Sequence, residues 1–244
     1  MTPPALLLIA HGSRDPRHAA TVAALVEQVR AQRPALEVAT AYLDHCAPRI
    51  PQVVSRLTDA VAVPLLLNRA FHAKHDIPAA LRAAGAGLPV ADVLGPSPLL
   101  LAALDRRLAE AGLDVHSAAV RSRTGVVLAA AGSSDPAADA ATRAVAAEWR
   151  RTRGWAAVEV AYASASGPRV PDALAALHAA GAERTAVAPY LLAPGLLPDR
   201  IAAAAGGADV LAAPLGPVPE LAALLLQRYD QACRAAATVP ALTA

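Results

Sequence analysis

Short apolar runs alternate along the chain with longer amphipathic stretches, the pattern of parallel strands joined by crossover helices. Residues 5–10, 36–43, 61–67 and 90–94 read as strands, and 16–32, 48–59, 77–84 and 98–111 read as helices. After residues 115–123 the series restarts, with strands expected at 125–130, 157–162, 185–192 and 208–211. An α/β fold follows from this order of elements.

The two halves align residue by residue. Ala10-His11-Gly12-Ser13-Arg14-Asp15-Pro16 falls on Ala130-Ala131-Gly132-Ser133-Ser134-Asp135-Pro136 at an offset of 120 positions. At the same offset the run Ala41-Tyr42-Leu43-Asp44-His45-Cys46-Ala47-Pro48-Arg49 meets Ala161-Tyr162-Ala163-Ser164-Ala165-Ser166-Gly167-Pro168-Arg169. A small insertion brings Pro64-Leu65-Leu66-Leu67 onto Pro189-Tyr190-Leu191-Leu192. Self-similarity of this kind marks an internal duplication. The expectation is two tandem domains, 1–120 and 121–244, each a parallel four-stranded sheet flanked by helices.

Composition narrows the classes of function. The 244 residues are 55% hydrophobic and 17% charged, which excludes a disordered chain. No apolar run approaches the ~20 residues that span a bilayer. The start lacks the basic region and small-residue cleavage site of a secretory signal, so a cytoplasmic location is expected. Cys46 and Cys233 stand far apart in no paired motif, and reduced thiols are expected rather than a disulfide framework or a thiolate zinc site. The net charge is +2, Lys74 is the only lysine and there is one phenylalanine. Nucleic-acid binding therefore has neither its electrostatic footprint nor its stacking surface.

If the repeats share a backbone, positions kept in both should serve folding, and those altered in one should include the chemistry. The shared Gly-Ser-x-Asp-Pro suits a tight turn into a helix: glycine for the turn, aspartate to cap, proline for the first helical residue. The differences are His11 against Ala131, Asp44 against Ser164 and His72 against Leu197. Each of the three first-half residues lies just past the end of an expected strand, the edge where open parallel sheets bind ligands. Two imidazoles and a carboxylate form a plausible shell for a divalent first-row metal with positions left open. Asp44 alternatively caps the helix near Pro48. His45 and His75 lie close enough in sequence to assist but are set outside the main site, and His18, His116 and His178 read as ordinary surface or hydrogen-bonded residues. A competing reading has Gly12 and Ser13 cradling a phosphate at a helix start. It is disfavoured because no phosphate-loop motif is present and the same Gly-Ser survives in the half without the histidines.

With these residues in place, the sequence resembles the sirohydrochlorin chelatase family, in its long two-repeat CbiX/SirB form. The resemblance rests on His11-Gly12-Ser13-Arg14-Asp15-Pro16, on Tyr42-Leu43-Asp44 with Pro48, and on Pro64-Leu65-Leu66-Leu67 leading to His72-Ala73-Lys74-His75-Asp76-Ile77-Pro78. It implies that His11 and His72 are the catalytic and metal-binding pair, in roles it leaves unassigned between them. Family members commonly carry glutamate where this chain has Asp44, and glycine where it has Ala70. The resemblance further implies insertion of Fe(II) for siroheme or Co(II) for cobalamin, with Ni(II) inserted by related short proteins, into sirohydrochlorin. The metal is then a substrate, and no organic cofactor is required. Gly12, Ser13, Arg14, Arg69 and Lys74 are the candidates to meet the carboxylate-rimmed macrocycle, and the second repeat takes a structural and pocket-forming role. A monomer is expected, because two repeats in one chain can form a pseudo-dimer. A non-catalytic metal or tetrapyrrole carrier is the alternative.

Overall fold

Six consecutive apolar residues, Ala5–Ala10, form strand β1, and every one is buried, as suits the central strand of a sheet covered on both faces. The computed structural model describes residues 3–68, 75–165 and 167–238. Its two compact units are Met1–Gly95 with Pro217–Ala244, and Pro96–Gly216.

In the first unit β1 is flanked by β2 (Val38–Tyr42) and β3 (Ala60–Pro64) in the order β2-β1-β3, all parallel. Register pairs Ala10 with Tyr42 and Ile9 with Pro64. On one face Leu7 and Ile9 pack with Ile50 of α2 (Ile50–Val54) and with Ile77 and Leu81 of α3 (Ile77–Ala83). Leu6 and Leu8 are also fully buried, and strand alternation turns them to the opposite face. Helix α1 (Pro16–Gln32) buries Val22, Leu25, Val26 and Val29, the stripe expected of an amphipathic helix. Its start is set by Asp15, whose carboxylate accepts from the Arg17 amide at 2.9 Å, followed by Pro16 in the first turn.

The second unit repeats this plan. Its sheet has the order β5-β4-β6-β7, all parallel, from β4 (Thr124–Ala130), β5 (Ala157–Tyr162), β6 (Arg184–Pro189) and β7 (Val210–Leu211). Val127 and Ala129 pack against α7 (Val170–Ala179) and α8 (Leu196–Ala204) through Val170, Leu174, Leu177 and Ile201. Helix α6 (Pro136–Arg153) is capped by Asp135, which accepts from the Ala137 amide at 2.9 Å. A short helix, α5 (Ala118–Arg121), precedes β4.

Two expectations need correction. The first sheet has three strands among the described residues rather than four: the expected strand at 90–94 is reduced to one bridge between Ala62 and Val90. The Ala62 amide donates to Pro89 and the Ala62 carbonyl accepts from Ala91. The next β3 residue facing that side is Pro64, which has no N–H to continue the ladder. Pro189 stands at the matching place in β6, and β7 is correspondingly only two residues long. The expected helix at 48–59 is shortened to α2, because the Pro48 carbonyl is occupied by the Tyr42 amide at 3.0 Å and the helix begins only beyond it.

The compact units also divide the chain differently from the sequence repeats at 1–120 and 121–244. Helix α4 (Pro98–Glu110) follows the first repeat's strands, yet it belongs to the second unit, where it packs on β6. Trp149 Nε1 of α6 donates to Asp105 Oδ1 of α4 at 2.8 Å, and Arg153 Nε donates to Asp105 Oδ2 at 2.6 Å. Helix α9 (Pro219–Thr238) follows the second repeat and belongs to the first unit, packed on α1 and β3. Arg33 grips Asp230 with two bonds of 2.6 and 2.8 Å, and Arg228 donates to the carbonyls of Val93 and Leu94. Arg107 of α4 does the same for the Leu215 carbonyl. Each repeat therefore lends its last helix to the other repeat's sheet.

Candidate functional site

The carboxyl edge of the first sheet is organised by hydrogen bonds that run past the strand ends. The Leu43 amide donates to Ala10 at 3.0 Å, and the Asp44 amide donates to His11 at 2.8 Å, so His11 and Asp44 are neighbours across the ladder. The second unit has the same two bonds, from Ala163 to Ala130 and from Ser164 to Ala131, each 2.9 Å. The backbone is thus common to both repeats, while the imidazole and the carboxylate occur in one.

Gly12 is required by this close approach. Its φ is +91°, and a Cβ there would lie 1.7 Å from the Asp44 carbonyl oxygen. Gly132 repeats the arrangement, with φ +85° and the Ser164 carbonyl oxygen 2.1 Å from the place of a Cβ. A carbonyl oxygen of the neighbouring loop fills the space beside each glycine. Ser13 Oγ accepts from the Asp15 amide at 3.1 Å, as Ser133 Oγ does from Asp135 at 3.0 Å. Gly12 and Ser13 thus have clear structural duties. Arg14 is exposed beside them.

The Asp44 carboxylate does not cap α2. Its Oδ1 accepts from the His45 amide at 2.8 Å and from Arg49 Nη1 at 3.0 Å. These bonds, the His45 amide first and the Arg49 guanidinium next, hold its pKa below the ordinary aspartate value. Oδ2 lies 3.4 Å from His45 Nε2. Arg49 also donates to the Leu43 carbonyl at 2.6 Å, matched by Arg169 donating to Tyr162 at 2.9 Å, so this arginine shapes the loop in both repeats. Ser164, in Asp44's place, turns its hydroxyl back to the Ala131 carbonyl at 2.8 Å.

His45, outside the main site expected from the sequence, stands beside His11 in the structure. Its ring stands edge-on to that of His11, with centroids 6.4 Å apart and planes at 86°. Cys46 staples the two loops together: Sγ lies 3.1 Å from the Ser13 carbonyl and 3.5 Å from the Ser13 amide. His18 lies against Tyr42 with ring centroids 6.5 Å apart, and burial lowers its pKa, as suits a packing role. His75 is exposed. Arg69, His72 and Lys74 lie outside the described residues. As arranged, no three His, Cys, Asp or Glu side chains among the described residues stand close enough together to hold an ion.

The fold and this edge define a tandem α/β protein whose two repeats share one strand-end architecture and differ in the side chains placed on it. The CbiX family matches both repeats, over residues 5–111 and 125–232, and the chain belongs to that family. A sirohydrochlorin ferrochelatase of Priestia megaterium is 28% identical over 207 residues, covering 81% of this chain and 76% of that protein. A sirohydrochlorin cobaltochelatase of the same organism is 27% identical over 221 residues, covering 80% of this chain and 66% of its own length. The structure of SirB from Bacillus subtilis with Fe3+ superposes with a TM-score of 0.79 at 24% identity, covering 96% of this chain and 97% of that one. It supports the fold.

Proposed function

We propose that the chain is a sirohydrochlorin chelatase, a lyase that inserts a divalent metal, Fe(II) or Co(II), into sirohydrochlorin and releases two protons. The observation that carries this reading is the asymmetry between repeats. One backbone, held by the same ladder bonds and the same glycine, bears His11, Asp44 and His45 in the first repeat and Ala131, Ser164 and Ala165 in the second. Membership of the CbiX family supplies the chemistry that such a site would perform.

In this reading His11 and His72 are the catalytic and metal-binding pair, and Asp44 is the carboxylate of the same edge. Neutral imidazole is both a ligand for first-row divalent ions and a proton acceptor near neutral pH. One histidine presents the ion to a face of the macrocycle, and as the ion passes to the ring the freed imidazole nitrogen and that of the other histidine each accept a proton from a pyrrole nitrogen. The charges balance: M2+ enters and two H+ leave. Arg14, Arg69 and Lys74 meet the carboxylates of the macrocycle rim, with Gly12 and Ser13 beneath. No helix among the described residues is long and apolar enough to cross a membrane, and we place the enzyme in the cytoplasm as a monomer.

The test is anaerobic metallation of sirohydrochlorin followed by absorbance. The wild-type chain is expected to accelerate insertion of Fe(II) or Co(II), and His11→Ala or His72→Ala to lose at least about 100-fold of that rate. Ser164→Ala is expected to change it little. Tight binding of sirohydrochlorin and metal without acceleration would identify a carrier instead.

A further inference from the structure

We infer that the outer edge of β5 is a docking site for an extended acidic segment of a partner protein, which adds a strand to the second sheet and sets its carboxylates against arginines of α6. The surface lies wholly within the second unit and does not depend on where the metal binds.

The edge itself supplies the first argument. β5 stands first in the order β5-β4-β6-β7, so only one of its sides is paired with another strand. The Tyr162 amide points away from β4, since it donates to the Pro168 carbonyl beyond the strand at 2.9 Å. Backbone groups of a strand alternate in direction with a period of two, so the amides and carbonyls of Val158 and Val160 point to that same open side. Neither residue has a backbone partner there among the described residues. An edge of this kind is a template for a further strand.

The second argument comes from the other repeat, which closes the matching edge with one of its own side chains. Arg30 of α1 donates from Nη2 to the Val38 carbonyl at 3.1 Å, and its Nη1 donates to Glu27 at 2.7 Å. At the offset of 120 these three positions become Arg150, Val158 and Ala147. With the glutamate gone, Arg150 makes neither bond among the described residues and stands exposed on the rim of an open groove. The second repeat keeps the cation and lacks both the acid and the closure.

The groove supplies the third. It lies between α6 and β5, has a volume of about 700 Å3, and is lined by Ala146, Trp155, Val158, Val160 and Tyr162 between Arg143 and Arg150. The two arginines share a helix face about 10 Å apart along the axis, and Arg143 is hydrogen-bonded to the Tyr162 side chain. Side chains on one face of an extended chain recur about every 6.7 Å, so two carboxylates with one residue between them come within reach of both guanidinium groups. Arg151 is paired with Glu148 at 2.7 Å, and strand alternation turns the Glu159 side chain to the other face of the sheet. The charge facing the occupant is therefore positive, and charge-assisted bonds favour an acidic one. A second copy of this chain fits poorly, because a two-fold pairing of β5 edges sets the same arginines against each other.

The experiment is fluorescence anisotropy with the full chain and a fluorescein-labelled octapeptide that alternates glutamate with valine, beside the same peptide with glutamine for glutamate. Folding is checked by circular dichroism and self-association by analytical ultracentrifugation. The acidic peptide is expected to bind with a Kd below about 1 mM, and the glutamine peptide at least about 10-fold more weakly. Arg150→Gln should weaken the acidic peptide by at least about 10-fold and leave the glutamine peptide unchanged, a split that a merely structural role would not produce. Val158→Pro removes an amide that points away from the sheet, a change tolerated on an edge strand, and should abolish binding of both peptides. No saturable binding up to about 1 mM, equal binding of the two peptides, or indifference to Arg150→Gln overturns the proposal. Displacement of the peptide by an equal concentration of glutarate overturns it in favour of a small-anion site. A wild-type dimer that Val158→Pro dissociates overturns it in favour of a second copy.

Discussion

Gly12 illustrates how one residue couples fold to chemistry. With φ +91° and the Asp44 carbonyl oxygen 1.7 Å from where a Cβ would sit, Gly12→Ala must push the Asp44–His45 loop away from His11. The expected loss is about 3 kcal/mol or more in chemical denaturation, from backbone strain and displaced contacts together, accompanied by loss of Co(II) binding. Gly132→Ala meets the Ser164 carbonyl oxygen at 2.1 Å and should cost comparable stability while leaving Co(II) affinity within about 3-fold, a margin of roughly 0.65 kcal/mol. Equal damage to metal binding by both substitutions would contradict a centre confined to the first repeat. At this scale the sequence was informative because one chain carries its own comparison: His11 and Asp44 stood out against Ala131 and Ser164. His45 did not, because its place beside His11 depends on a left-handed backbone that nothing in Asp44-His45-Cys46 announces.

Elements were legible wherever one local signal dominated. The expected bounds of β1, β5 and α1 coincide with those observed, since apolar runs and an Asp-Pro helix start need no tertiary information. The first sheet's fourth strand is reduced to a bridge because Pro64 ends the ladder on the neighbouring strand, and Pro189 stands where β7 stops after two residues, effects that appear only once strands are paired. Pairing between elements gives a further test. The Arg33–Asp230 bridge joins α1 to α9, with both side chains a little over one-third exposed, so its value is about 1 kcal/mol or less. Arg33 holds the Asp230 carboxyl below its ordinary value. A depressed carboxylate pKa stabilises the fold above the unfolded value of about 3.9 and ceases to do so as pH falls through the lower folded value. The stability gap between wild type and Asp230→Asn, measured by urea denaturation, should be constant at neutral pH and shrink as the pH falls below the unfolded value of about 3.9. A gap that widens on acidification would contradict this role.

At the scale of the whole molecule, the exchange of α4 and α9 was invisible in the sequence. An amphipathic helix shows which of its faces is apolar but carries no mark of whose sheet it covers. Helix α9 buries Leu221, Leu224, Leu225 and Leu226, and at about 2 kcal/mol for each buried leucine their removal rivals the roughly 5–15 kcal/mol of a whole domain. A fragment of residues 1–120 should therefore lack cooperative thermal unfolding, although it contains a complete sequence repeat. Cooperative unfolding of that fragment with full Co(II) affinity would show that the exchanged helix is dispensable. On the proposed function, the duplicated scaffold carries one metal centre, at the edge of β1 and β2. The decisive quantity is the number of Co(II) ions bound per chain at saturation. One ion is expected, abolished by His11→Ala and kept by Ser164→Ala; two ions per chain, or one that survives His11→Ala, would rule out a single centre in the first repeat.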